Sequence, residues 1–138
     1  MNNYGFDWRE DANGGRVYTD GANWIEYDGQ YWRGGRNRYA VHLWGGITIY
    51  RAANDHQHAA AQVFAPVNGW TICPDSIDLL TWTDGEHDLT RTQAGTYILT
   101  DNMTGESAQI RARNLYAATV TAEHLLVNVD REHWADWF

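Results

Sequence analysis

The densest group of chemically capable side chains is the stretch Arg33-Gly34-Gly35-Arg36-Asn37-Arg38, which places three guanidinium groups next to aromatic residues. Guanidinium groups bind phosphates and carboxylates through paired hydrogen bonds and stack on aromatic rings. We therefore predict a binding surface here. Its residues are Trp24, Tyr31, Trp32, Arg33, Arg36 and Arg38. The alternative interpretation is a solvated loop whose arginine stems cover apolar rings.

A second group of side chains is acidic and surrounds one histidine. Asp84, Glu86 and Asp88 alternate along the chain, which suits a Ca²⁺ ligand set, but the segment lacks the twelve-residue loop and the closing glutamate of an EF-hand. A water-exposed turn explains the segment without an ion. Together with Asp75 and Asp78 it places five acids within fourteen residues and no arginine or lysine among them. We predict that Asp75, Asp78, Asp84, Glu86 and Asp88 form an acidic docking patch.

Two further motifs bear on metal binding and on catalysis, namely a pair of histidines and the single cysteine. His56 and His58 have the spacing of metal ligands on a strand. On a helix the same pair points about 200° apart, and the surrounding sequence is helical in composition, so we predict no metal there. Cys73 is a nucleophile only if a histidine lies close by, and its apolar neighbours indicate a buried cysteine.

The composition removes several classes of function. All ten basic residues are arginines, so the chain has no Schiff-base lysine, no phosphate-loop lysine and no Ser-Lys pair. A single cysteine excludes an internal disulfide framework. No run approaches the roughly 18 apolar residues of a membrane span, and the first residues do not resemble a secretory signal. We therefore expect a cytoplasmic protein that needs no membrane and no cofactor.

The net charge of −8 is unevenly distributed. Residues 51–90 hold one arginine against six acids, a balance of −5, whereas residues 1–50 and 91–138 stand at −1 and −2. Such a charge disfavours direct binding to a nucleic acid backbone. It favours a protein partner with a basic surface, because complementary potentials speed association.

The pattern of the first half of the chain predicts β-hairpins. Asp28-Gly29 is the strongest turn signal and predicts a type I′ hairpin of residues 24–27 with 30–33. That register places Ile25, Tyr27 and Trp32 on a core face, and Trp24 and Glu26 on an exposed face where Trp24 stacks on Arg33. A second hairpin of residues 39–44 with 47–51 turns at Gly45-Gly46, and its two apolar faces predict a central position in a sheet.

The second half mixes helices and strands. We predict a helix over 55–64, capped by Asn54 or Asp55 and stopped by Pro66, and a second helix starting after a cap at Asn114. Residues 74–83 fit either a short helix or a strand. Predicted strands cover 97–101, 107–113 and 126–129. In the C-terminal tail the aromatic residues Trp134, Trp137 and Phe138 stand at helical spacing.

These patterns predict an α+β fold: a single compact domain over residues 1–138, with one antiparallel β-sheet built from hairpins and two or three helices packed on it. The leading hypothesis is a non-catalytic protein-binding module, such as an acidic inhibitor of a nucleic-acid-handling or host-defence complex. The alternatives are a carbohydrate- or nucleotide-binding module that stacks its ligand on Trp24, Tyr31 and Trp32, and a small metal-dependent enzyme. A homodimer through Trp134, Trp137 and Phe138 is a further expectation.

Overall fold

The computed structural model describes residues 3–30 and 33–137, and of Arg33 it describes only the backbone. The fold is α+β, as predicted, and its strands pair in two antiparallel sheets of five rather than in one sheet. The chain divides into two compact units. Unit 1 comprises Met1–Ala65 and Pro74–Ile77, and unit 2 comprises Pro66–Cys73 and Asp78–Phe138. That the whole chain acts as one domain stays a prediction.

Unit 1 contains a sheet in which each strand pairs with its neighbour in sequence. The strands are β1 (Asp7–Glu10), β2 (Arg16–Thr19), β3 (Trp24–Gln30), β4 (Asn37–His42) and β5 (Thr48–Ala53). Helix α1 (His56–Phe64) follows and contacts β3, β4 and β5. Asp55 caps it by accepting a hydrogen bond from the backbone N–H of His58, which confirms the predicted helix and its cap.

One face of this sheet forms the core of unit 1. Directly paired residues of antiparallel strands share a face, so Tyr18, Ile25, Val41 and Ile49 lie in one row, and all four are buried. The opposite face, which we call the open sheet face, carries exposed side chains and the half-buried His42. Its members are Trp24, Glu26, Arg38, His42 and Tyr50.

The predicted turn at Asp28-Gly29 is wrong. Strand β3 continues through both residues with a bulge between Tyr27 and Gly29, and it pairs with β4. Tyr27 lies opposite the buried Tyr39, on the same sheet face as Ile25, yet its own side chain is exposed. The chain reverses after Gln30, in a segment that includes a 3₁₀ turn over Arg33–Gly35. Tyr31 and Trp32 lie outside the described residues.

The second predicted hairpin is confirmed. Strands β4 and β5 pair in register from Asn37–Ala53 to His42–Thr48. The turn closes where the backbone N–H of Gly46 donates to the carbonyl oxygen of Leu43 at 2.9 Å. Gly46 has φ 107°, a backbone conformation that residues with a side chain rarely adopt. Strand β4 is interior, as predicted, whereas β5 forms an edge of the sheet.

Unit 2 contains the second sheet, in the order β10-β9-β8-β7-β6. Its elements are β6 (Thr71–Ile72), β7 (Thr81–Thr83), β8 (His87–Arg91), β9 (Tyr97–Asp101), β10 (Ser107–Ile110), α2 (Leu115–Asn128) and a 3₁₀ helix (Arg131–Asp136). Strand β9 and the Asn114 cap of α2 are confirmed, because the Asn114 side chain accepts from the backbone N–H of Ala117. The predicted strand over 126–129 is wrong, since α2 continues to Asn128.

The core of unit 2 joins one sheet face to the C-terminal helices. Leu89, Leu99 and Ile110 are fully buried, as are Leu125 of α2 and Trp134 of the 3₁₀ helix. The indole N–H of Trp134 donates to the carbonyl oxygen of Val129 at 3.2 Å. Trp134 is therefore fully buried within the single chain, and the homodimer stays a prediction. Trp137 remains partly exposed, and Phe138 lies outside the described residues.

Candidate binding sites

The most exposed tryptophan among the described residues is Trp44, which follows the end of β4 and leaves 69% of its surface in contact with solvent. It lines an open cavity of about 450 Å³ within unit 1, which we call the Trp44 cavity. The lining residues are Asp20, Ala22, Asn23, Trp44, Pro74 and Asp75. Of the residues proposed from sequence, the cavity contains Asp75.

A buried asparagine fixes one wall of the Trp44 cavity. The side-chain oxygen of Asn23, which is only 2% exposed, accepts the backbone N–H of Trp44 at 2.7 Å. The amide nitrogen of Asn23 donates to Oδ2 of Asp20 at 2.9 Å, and Oδ1 of Asp20 accepts the backbone N–H groups of Ala22 and Asn23. These hydrogen bonds hold the β2–β3 loop to the β4–β5 turn. They fix the positions of Asp20 and Trp44 at the cavity.

A glycine allows the other wall to approach. The backbone N–H of Gly45 donates to the carbonyl oxygen of Pro74 at 2.8 Å. A Cβ atom on Gly45 would stand 2.0 Å from the carbonyl oxygen of Ser76 and 2.8 Å from the carbonyl carbon of Asp75. Only glycine therefore lets the segment 74–77 pack against this turn, and that packing brings Asp75 to the same cavity as Trp44.

The lining of the Trp44 cavity is acidic, and the guanidinium of Arg9 lies close to Gly21, between the lining residues Asp20 and Ala22. Burial acts to raise the pKa of Asp20, but hydrogen bonds from the backbone and side chain of Asn23 and the backbone of Ala22 outweigh it, and the pKa is lowered. Asp20 therefore stays ionised at neutral pH. Asp75 adds a second carboxylate, and the lining contains no basic residue. An exposed indole beside two carboxylates suits a cationic group.

The predicted aromatic and arginine surface is assembled only in part. Trp24 stacks on His42 with ring centroids 3.8 Å apart and planes 17° apart, and its predicted stack on Arg33 stays a prediction. Arg38 pairs with Asp28 at 2.6 Å and lies over the Tyr50 ring at 5.1 Å. Trp24 and Arg38 thus share the open sheet face. Arg36 is exposed, and the side chain of Arg33 lies outside the described residues.

These positions leave the carbohydrate- or nucleotide-binding alternative as a prediction. Of its three stacking residues, Trp24 has a ring face covered by His42. Tyr31 and Trp32 lie outside the described residues.

The predicted acidic patch is divided between the units. Asp75 belongs to unit 1, whereas Asp78, Asp84, Glu86 and Asp88 belong to unit 2. Asp78 and Glu86 are exposed. Asp84 accepts the backbone N–H groups of Glu86 and His87, and Asp88 accepts from the side chain of Asn102 at 3.2 Å. Asp84 and Asp88 therefore shape the local structure, and Asp78 and Glu86 are the patch residues left for a partner.

Unit 2 also holds a buried polar cluster, the His87 network, which the sequence did not reveal as a unit. Nδ1 of His87 lies 3.0 Å from Oδ2 of Asp84, and Nη2 of Arg131 lies 3.3 Å from Nε2 of His87. Arg131 also donates to the carboxylate of Asp101. A guanidinium group only donates, so Nε2 accepts and the imidazole proton resides on Nδ1. Both ring nitrogens are consequently occupied.

The His87 network fastens the C-terminal 3₁₀ helix to the sheet. His87 and Asp101 are paired opposite each other on β8 and β9 and are 6% and 4% exposed. Arg131 belongs to the 3₁₀ helix and also lies over the Trp134 ring. A cavity of about 300 Å³ adjoins the cluster. The one sequence signal was alternation: His87 and Asp101 stand in phase with the buried leucines of their strands.

The histidines considered for metal binding serve separate purposes. The ring centroid of His56 lies 4.7 Å from that of Trp8 and 4.8 Å from that of Tyr39. Burial lowers the pKa of His56. Nδ1 of His58 accepts the backbone N–H of Asn54 at 3.0 Å. Both residues lie on α1, as predicted, and they do not converge on one ion. A different group, Asp130, Glu132 and His133, is close together but fully on the surface.

No protein family model, no curated protein and no solved structure matches this chain. In the described part of the chain, no helix has both the length and the apolar composition needed to cross a membrane.

Proposed function

We propose that this chain is a non-catalytic protein-binding module whose partner presents a basic surface. The observation that supports the proposal is the charge of unit 2, which holds ten acidic residues against four arginines and no lysine. Seven of those acids are exposed. An electronegative surface of this kind accelerates association with a basic partner and selects against acidic ones.

The same chemistry suits an inhibitor of nucleic-acid-handling machinery. Proteins that bind nucleic acids present arginine and lysine to phosphates. Exposed carboxylates such as those of Asp78 and Glu86 are able to occupy such a surface in place of phosphates. Direct binding of nucleic acid by this chain is not expected, because its own net charge is −8.

The test is capture of the partner followed by titration calorimetry with the purified pair. We expect one stoichiometric partner whose affinity falls between about 0.05 M and about 0.3 M NaCl, since salt screens exposed charges. The double variant Asp78→Asn with Glu86→Gln removes two exposed charges of the patch. It should raise Kd about two- to thirtyfold, because exposed ion pairs contribute about 0.2–1 kcal/mol each.

A matched control makes the same charge change elsewhere in unit 2. Glu123→Gln with Asp136→Asn alters two exposed residues of α2 and the 3₁₀ helix. This variant should raise Kd less than the patch variant does, because charges outside the contact act only through long-range steering of association. Equal losses in both variants would show that the patch is not the contact. A partner that binds equally well at both salt concentrations would contradict the proposal itself.

A further inference from the structure

We propose that the Trp44 cavity binds a single arginine side chain of the basic partner, with the guanidinium on the Trp44 indole and against the carboxylate of Asp75. This inference rests on the proposed function and names the group that the partner would insert. The residues of the site belong to unit 1, whereas the residues that support the proposed function belong to unit 2.

The ring of Trp44 is available. Trp8 has the guanidinium of Arg16 5.2 Å from its ring centre, and Trp24 has His42 stacked on it. Among the described residues, no aromatic ring or guanidinium stacks on Trp44. Indole is the strongest cation–π acceptor among side chains.

The polar groups of the Trp44 cavity match a cation better than a sugar. Asp20 and Asp75 offer carboxylate oxygens, which only accept hydrogen bonds when ionised. The amide of Asn23 is buried and already bonded to Asp20 and Trp44. A cation is attracted by the charge of both carboxylates as well as by their hydrogen bonds, whereas a neutral sugar gains only the hydrogen bonds, and an anion would be repelled.

The choice of arginine over lysine follows from the shape of the two groups. A guanidinium is planar, stacks flat on an indole and donates two parallel hydrogen bonds to one carboxylate. An ammonium is a strongly hydrated point charge that does neither. The walls of the cavity are also preorganised, because Asn23 and Gly45 fix them through hydrogen bonds. Preorganisation reduces the entropy lost when the side chain binds.

The probe is Nα-acetyl-arginine amide, titrated into the full-length ¹⁵N-labelled chain and followed by NMR. Nα-acetyl-lysine amide and Nα-acetyl-citrulline amide, a neutral isostere of the arginine probe, are the ligand controls. We expect the arginine probe to shift the indole N–H of Trp44 and the backbone signals of Gly45 and Asp75. The lysine probe should bind more weakly, and the citrulline probe should leave these signals in place.

Variants assign the effect to the cavity. Trp44→Ala and Asp75→Asn should each raise the Kd of the arginine probe about two- to fivefold, given the energies of exposed cation–π contacts and ion pairs. Tyr50→Ala and Glu10→Gln are the matched controls, an exposed aromatic and an exposed acid outside the cavity lining, and should leave Kd unchanged.

The outcomes separate this inference from the proposed function. Arginine shifts absent from Trp44, or equal shifts with the citrulline probe or with glucose, would overturn the arginine site. The salt-dependent partner measured by calorimetry would then still support the proposed function. Arginine binding at Trp44 without any basic partner would uphold the cavity as an arginine site and overturn the proposed function.

Discussion

At the scale of single residues, Asp101 shows how a buried charge is tolerated. A carboxylate removed from water costs several kcal/mol unless it is paired and hydrogen-bonded. Asp101 receives a hydrogen bond from Arg131 and two more from the backbone N–H groups of Met103 and Thr104. The carboxylate therefore joins the turn after β9 to the C-terminal 3₁₀ helix, and its ionisation is a condition for both.

This pairing predicts that the protein loses stability in acid. The pKa of Asp101 is lowered, chiefly by the hydrogen bond from Arg131, and the pKa of Asp84 is lowered because backbone hydrogen bonds outweigh its burial. A carboxyl with a lower pKa in the folded state stabilises that state only while it is ionised. We expect this contribution to be complete above about pH 4 and lost as the pH falls through the folded pKa values. Urea unfolding at a series of pH values measures it.

Asp101→Asn provides the comparison for the acid prediction. This variant should be less stable at neutral pH and should lose less stability on acidification than the wild type, because it has no charge at this position to lose. Asp136→Asn, an exposed change in the same 3₁₀ helix, should keep the wild-type pH dependence. If Asp101→Asn and the wild type lose stability in parallel, the His87 network does not control acid unfolding.

At the scale of elements, the helices were predictable because their signals are local. Asp55 and Asn114 cap α1 and α2 as predicted, and each cap lies beside the turn that it stabilises. The turn predicted at Asp28-Gly29 is wrong because turn propensity depends on neighbouring residues alone, whereas strand pairing depends on residues far apart in the sequence. Carrying β3 past the dipeptide lets Ile25 face Val41 and Tyr27 face Tyr39, and a bulge absorbs the irregularity.

The candidate site was less predictable than the fold. The acidity of Asp75 was visible in the sequence, but its neighbour Trp44 was not, because their meeting depends on the segment 74–77 packing against the β4–β5 turn. No periodicity encodes such a contact. The sequence marks the region of this contact only by Gly45-Gly46, and that pair predicts a turn but no close approach of another segment. Gly46 is needed for its positive φ, and Gly45 is needed for the close approach of Ser76.

The close packing at Gly45 predicts the effect of a single methyl group. In Gly45→Ala the new Cβ would overlap the carbonyl oxygen of Ser76, a backbone atom that moves only if segment 74–77 moves. We expect the free energy of unfolding to fall by about 1–3 kcal/mol, as for other overpacked sites. Binding of the arginine probe at Trp44 should weaken as well. Urea unfolding and the NMR titration measure the two effects.

Gly46→Ala separates packing from backbone strain. A Cβ on Gly46 meets no atom within 4 Å, but the φ of 107° is strained for alanine. This variant should lose about 1–2 kcal/mol of stability through strain and keep its affinity for the arginine probe. Should Gly45→Ala retain the wild-type affinity too, segment 74–77 would not be what positions Asp75.

At the scale of the whole molecule, charge is divided unequally between the units. Unit 1 holds eight acids against six arginines, whereas unit 2 holds ten against four. Within unit 1, Asp28 is paired with Arg38, and within unit 2, Asp101 is paired with Arg131. Most of the remaining acids of unit 2 are exposed, and they outnumber its arginines. Like charges repel, so this surface opposes folding even as it favours a basic partner.

The double variant Asp78→Asn with Glu86→Gln should therefore change stability and binding in opposite directions. Removing two exposed charges of the patch relieves repulsion, so the free chain should unfold at a higher temperature than the wild type at about 0.02 M NaCl, and the difference should vanish near about 0.5 M as salt screens both. Thermal unfolding followed by circular dichroism measures this. A variant less stable than the wild type at low salt would mean that these carboxylates make favourable contacts within unit 2. A gain in stability joined to a loss of partner affinity would mean that these acids serve binding at the expense of folding.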